Sequence, residues 1–184
     1  MEILVTRHGQ TDWNLAKKVQ GLVNTDLNET GIEQAKATGE MLKDEKIDLI
    51  ISSPLNRAMQ TAEIIRGDRD IEIITDNGII ERDFGEFEGM SPLEDNIFNP
   101  DEFWSYRDNH KYEKAENIRD CFDRVYAFLD NLPKKYPDKR ILLVCHGGVS
   151  IPINCYFNGI PDMDTLIHKG LSLKNAEVAR YSYK

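Results

Sequence analysis

Residues 139–148 read Lys139-Arg140-Ile141-Leu142-Leu143-Val144-Cys145-His146-Gly147-Gly148. Five apolar residues in a row, with charge before them and a glycine pair after them, predict a strand buried on both faces. The glycine pair opens a helix that reaches about Asn158. Strand, histidine, glycine, helix is the unit to look for elsewhere in the chain.

It recurs at the start, where Ile3-Leu4-Val5 is followed by Thr6-Arg7-His8-Gly9. A polar stretch from Gly9 to Asn28 comes next, and Thr30-Gly31-Ile32-Glu33 reads as a capping box opening a helix to about Lys46. Ile47 to Ser52 is a second buried strand. Ser53 and Pro54 read as N-cap and first residue of a helix that ends near Gly67. Ile71 to Thr75 is a third strand. Met90 to about Lys114 is less regular and holds Pro92 and Pro100. Ala115 to Leu132 carries helical spacing at Ile118, Phe122, Val125, Phe128 and Leu129, and Glu177 to Tyr183 alternates as a last, more exposed strand. Alternating strands and helices predict a three-layer α/β sandwich with a mostly parallel, doubly wound sheet. Residues 1–184 read as one domain, with a small helical cap-like insertion at about 90–114.

Composition narrows the function classes. Lys and Arg total 23 and Asp and Glu total 32, a net charge of −9 that argues against a nucleic-acid partner. The three cysteines, Cys121, Cys145 and Cys155, form no C-x-x-C motif and fit a reducing compartment. No apolar run is long enough to span a membrane, and no leader pattern precedes the first strand. The expectation is a cytoplasmic protein, monomer or homodimer, with no membrane partner, no cofactor and no metal site.

In parallel sheets ligands bind beyond the carboxyl ends of the strands. Two of the four histidines, His8 and His146, follow strands directly and precede glycines, which places both imidazoles at that rim. Gly147 lets a ligand approach the backbone closely. Arg7 stands beside His8. Arg57 lies early in its helix, and helical side chains lean toward the N-terminus, so its guanidinium returns to the same rim. Two arginines and two histidines there suit a phosphate, since guanidinium pairs with phosphate oxygens in bidentate fashion. Cys145 cannot pair with His146, because neighbouring strand residues face opposite ways. His110 and His168 read as surface residues.

Five blocks in order resemble the histidine phosphatase superfamily, branch 1, which contains cofactor-dependent phosphoglycerate mutase and related phosphatases. They are Thr6 to Asn14, Leu27 to Ala35, Ser52 to Ala62, Glu81 to Gly89 and Val144 to Gly148. The resemblance covers nearly the whole chain and is nearest to the small broad-specificity or alpha-ribazole-type phosphatases. It implies that His8 attacks phosphorus to give a phosphohistidine, its other nitrogen donating to a backbone carbonyl. It implies that Arg7, Arg57 and His146 clamp the phosphoryl oxygens and that Asn14 and Gln20 add neutral hydrogen bonds. Glu81 would protonate the leaving alkoxide and then take a proton from water, which asks that its carboxyl hold a proton when substrate binds. On the residues alone, Asp83, Glu86 and Glu88 read as solvated loop charges. The scheme needs no metal, because the arginines supply the positive charge.

Mutases of the family carry a longer segment after the acid loop, with an arginine pair for the substrate carboxylate. Here that segment has Arg107 alone, beside Tyr106, and Ala115-Glu116-Asn117 stands where the family has Gly-Glu-Ser. These departures favour water as acceptor: a phosphatase acting on a small anionic phosphorylated metabolite. A mutase, or a catalytically silent binder of phosphorylated ligands, is the alternative. Phe98, Phe103, Trp104, Tyr106 and Tyr112 read either as an apolar lid over the leaving group or as the packing of a cap. Tyr106 and Arg107 are the candidates for substrate contact.

Overall fold

Each apolar run forms a strand whose alternate residues face opposite layers of helix. The computed structural model describes residues 1–91, 99–109, 111–161 and 170–183. The strands are β1 (Glu2–Arg7), β2 (Leu49–Ser52), β3 (Ile73–Thr75), β4 (Ile141–Cys145) and β5 (Val178–Ser182). The helices are α1 (Asp12–Leu15), α2 (Glu29–Met41), α3 (Asn56–Arg66), α4 (Pro100–Phe103), α5 (Ile118–Lys135) and α6 (Gly147–Asn158). The sheet order is β3-β2-β4-β1-β5, and only β5 runs antiparallel, along the outer side of β1.

Ile3, Val5, Leu49, Ile51, Ile141 and Leu143 face one way and meet Val125, Leu129 and Leu132 of α5 and Val149 and Ile153 of α6. Leu4, Ile50, Leu142 and Val144 face the other way and meet Leu42 and Ala58, Ala62 and Ile65 of α3. Three layers result, as expected. A third cluster joins Phe84, Phe103 and Trp104 to Ile118, Phe122, Ile151 and Cys155, so the described part of the 90–114 segment packs on α5 and α6. Each side chain of this kind contributes about 1.5–3 kcal/mol when fully buried.

Several boundaries differ from the sequence reading, each for a local reason. Asn28, not Thr30, caps α2: its side chain accepts from the Gly31 N–H at 2.9 Å while donating to Gln10 and Asp12. That helix stops at Met41 rather than near Lys46, and Leu42 turns into the core. Helix α3 begins at Asn56 behind Leu55, because the Ser53 hydroxyl is engaged by His146 instead of by the helix. Helix α5 begins at Ile118 rather than Ala115, since Glu116 is tied to the acid loop through its backbone N–H to Asp83 and its carbonyl to Arg82. His110, His168, Pro92 and Phe98 lie outside the described residues. Among the described residues no helix is long and apolar enough to cross a membrane.

Candidate active site

The connections leaving β1 and β4, neighbours in the sheet, pass to opposite layers, which opens the crevice where such sheets bind ligands. Parallel pairing runs to Arg7 opposite Cys145, and the His8 N–H donates to the Cys145 carbonyl at 3.0 Å. His8 and His146 therefore leave the sheet side by side, with ring centroids 5.1 Å apart. On the other side of β4, the Ser53 N–H donates to the Val144 carbonyl at 2.9 Å and so brings the end of β2 alongside. Helix α3 then delivers Arg57, fully buried, to the same rim.

A cavity of about 210 Å³ opens here, lined by Arg7, His8, Asn14, Gln20, Arg57, Glu81 and Gly147 of the expected set. His146 is buried, its ring centroid 5.1 Å from that of His8, and is not among the residues that line the cavity. A Cβ on Gly147 would lie 3.0 Å from Arg7 Cζ, so the bare glycine is what lets the guanidinium seat there. A larger cavity of about 320 Å³ lies between Asp76 and α5, away from both histidines.

His8 Nδ1 donates to the Gly9 carbonyl at 2.6 Å, which leaves Nε2 with a free lone pair. Burial, and then the charges of Arg7 and Arg57, hold its basicity well below the ordinary histidine value, so the imidazole is neutral. His146 is neutral for the same reasons, burial first and then Arg57, His8 and Arg7. Its Nε2 lies 2.7 Å from Ser53 Oγ.

The two arginines are held by carbonyls. Arg7 Nη1 donates to Leu173 O at 3.0 Å; Arg57 Nη1 and Nη2 donate to Val23 O and Gly21 O at 2.8 and 2.7 Å. Burial pulls the Arg57 guanidinium down to about 10. Carbonyls orient these cations but do not neutralise them, so the positive potential at the rim stays available to an anion. Arg7 Nε, Arg57 Nε and His146 Nδ1 are buried and have no hydrogen-bond partner.

Glu81 reaches the N-terminus of α6. Its carboxyl oxygens accept from the Gly148 and Val149 N–H groups, both at 3.2 Å, and from the Arg82 N–H at 2.9 Å. Asn14 Oδ1 accepts from Thr11 and Asn175, and Gln20 Oε1 from the Thr11 and Thr25 hydroxyls. The amide NH₂ groups are then what these two residues offer a ligand.

Tyr106 and Arg107 are not brought to the cavity. Tyr106 packs on Phe122 at 4.7 Å between ring centroids, and the carbonyls of both residues accept from Arg119. Trp104, Phe84, Ile151 and Val19 form the apolar wall instead, and Lys18, Gly21, Gly148 and Ser172 complete the lining. Glu88 is not a solvated charge: its carboxylate accepts from the Leu22, Val23 and Phe84 N–H groups. Asp83 closes a turn onto the Gly85 N–H at 2.7 Å, while Glu86 is exposed, 3.9 Å from Lys114. Thr61, which accepts from the Gly9 N–H at 3.0 Å, lies one helical turn beyond Arg57, a signal the sequence did carry.

A sheet crevice presenting a neutral histidine with a free lone pair, two unneutralised arginines and a carboxyl group defines a phosphoryl-handling class of site. Comparison with known proteins agrees. The model of the histidine phosphatase superfamily (branch 1) matches residues 3–184. The Bacillus subtilis protein named uncharacterized phosphatase PhoE is 36% identical over 183 residues, 99% of this chain and 91% of its own. The solved structure of Bacillus stearothermophilus YhfR has a TM-score of 0.88 at 28% identity, covering 97% of this chain and 89% of that one. An Entamoeba histolytica phosphoserine phosphatase solved with 3-phosphoglyceric acid has a TM-score of 0.81 at 28% identity, over 97% and 89%. The chain belongs to the histidine phosphatase superfamily, branch 1, and its enzyme class is that of the phosphoric monoester hydrolases.

Proposed function

We propose that this chain hydrolyses small phosphomonoesters through a phosphohistidine on His8, without a metal. His8 Nε2 attacks phosphorus, the bond from phosphorus to the ester oxygen breaks, and the departing alkoxide takes a proton from Glu81. Water then attacks phosphorus, Glu81 takes a proton from it, the N–P bond breaks and phosphate leaves. The Gly9 carbonyl holds the spare proton of His8 on Nδ1. Arg7, Arg57 and His146 stabilise the charge on the phosphoryl oxygens, the main demand of such transfers.

One observation carries this reading. Arg7 Nε, Arg57 Nε and His146 Nδ1 are buried without partners around one histidine. An unmet buried donor costs about 1–3 kcal/mol, and a dianion seated in the cavity that Arg7, His8 and Arg57 line would supply acceptors to the two guanidinium groups. The small cavity and its apolar wall of Trp104, Phe84, Ile151 and Val19 suit a small metabolite with a short organic body. Water as acceptor is favoured because Arg107, the lone arginine of the 90–114 segment, is not among the cavity's lining residues. The test is hydrolysis of para-nitrophenyl phosphate with and without a chelator, beside His8→Ala. Turnover that resists the chelator and vanishes in the variant is expected. Turnover that survives in the variant would overturn the assignment of His8.

A further inference from the structure

His8 and His146 are both buried, both neutral and 5.1 Å apart, yet phosphoryl transfer asks opposite things of them. One must present a lone pair to phosphorus, the other an N–H to a phosphoryl oxygen. A neutral imidazole has one nitrogen of each kind, so the tautomer decides which role it can take. For His8 the Gly9 carbonyl settles the matter, because a carbonyl can only accept. For His146 the partner is the Ser53 hydroxyl, 2.7 Å from Nε2, which could donate or accept.

Counting unmet groups separates the two tautomers. Ser53 is fully buried, and its oxygen already faces the Leu55 N–H at 3.4 Å. Among the described residues, His146 Nε2 is the group placed to take the hydroxyl proton. With the proton of His146 on Nδ1, Ser53 donates to Nε2 and one group, the Nδ1–H, is left over. With the proton on Nε2, the Ser53 O–H and the Nδ1 lone pair are both left over. Each unmet buried group costs about 1–3 kcal/mol, so the first arrangement is favoured. The leftover Nδ1–H is the buried, unpartnered nitrogen of a ring whose centroid lies 5.1 Å from that of His8.

We propose that Ser53 is a positioning residue that fixes His146 in the Nδ1–H tautomer, so that two neighbouring histidines meet the phosphoryl group with opposite polarity. The consequence for turnover rests on the phosphatase reading; the tautomer does not. The sequence reading took Ser53 as a helix cap, and the structure gives its hydroxyl this other use.

The experiment is nitrogen NMR on the full chain labelled at histidine, with the His146 signals assigned by comparison with His146→Gln. In wild type, His146 should show a protonated Nδ1 and an unprotonated Nε2, a result that needs no Ser53 variant to fold. Ser53→Ala should lose that single tautomer and Ser53→Thr should keep it. Turnover of para-nitrophenyl phosphate should fall about 10- to 100-fold in Ser53→Ala, the worth of one hydrogen bond to a charged group, mainly in kcat. The threonine variant should recover to within about 3-fold. A protonated Nε2 in wild type would overturn the proposal, as would a Ser53→Ala protein that retains both tautomer and rate. If wild type shows the tautomer but hydrolyses nothing, the phosphatase reading fails while the assignment of Ser53 stands.

Discussion

At Gly148 a side chain would crowd the site. A Cβ there would lie 2.6 Å from Glu81 Oε1, closer than real Cβ contacts come, and 3.0 Å from the Trp104 ring, a tight contact. Gly148→Ala must therefore push the carboxyl off the α6 N-terminus or displace the indole. Both flank the leaving group in the proposed reaction. We expect the variant to fold and to lose at least about 10-fold in kcat, since proton transfer contributes about 10²–10⁴-fold. Steady-state kinetics beside a thermal unfolding curve checks this, and wild-type kcat would refute it. The histidines make a second residue-scale statement. Because burial and the two arginines keep His8 neutral well below pH 6.5, the acid limb of the rate profile should carry no His8 titration near 6.5.

Among the elements, the acid loop and the cap segment are joined by Arg82, to which the sequence reading gave no role. Its guanidinium is fully buried, donating to Phe103 O at 2.7 Å and Glu116 O at 2.9 Å, with Cζ 3.7 Å from the centre of the Phe103 ring. Burial pulls it down to about 10. Arg82→Met keeps the bulk but strands two buried carbonyls, and should destabilise the protein by about 2–4 kcal/mol. Urea unfolding measures it, and an unchanged midpoint would refute the role. Strands and their two-sided burial were legible in the sequence because each apolar run carries its own pattern. The histidines and arginines were legible because strand ends and a helix start place them. Trp104, Lys18, Ser172 and Arg82 were not, because their positions depend on where irregular segments fall against α5 and α6. Ser53 does not cap its helix because its hydroxyl meets His146, just past β4 and 93 residues along the chain, and local cap chemistry cannot announce such a contact. Tyr106 packs on Phe122 outside the cavity lining, and here the converse holds: an aromatic in a loop looks the same whether it faces a ligand or another ring.

For the whole molecule, two neutral buried histidines link stability to pH. Both have folded-state values well below the 6.5 of the unfolded chain. Below about pH 6.5 the unfolded state binds protons that the folded state refuses, so stability falls as pH falls. Each histidine contributes a slope of up to about 1.4 kcal/mol per pH unit, and the pair about twice that. Above about pH 7 their contribution is complete. Urea midpoints between pH 5 and 7.5 should show this slope in wild type and lose about half of it in His8→Ala. An unchanged slope in the variant would sink the explanation.

Trp104 walls the cavity, while Trp13, the only other tryptophan, rests on Gly89. The protein thus has a built-in optical gauge. In Trp13→Phe, all indole emission would come from the ring that lines the cavity. Occupancy of the cavity could then be followed as light, without turnover, label or chromogenic ester, and an unknown substrate could be sought by the colour it imposes on that single ring.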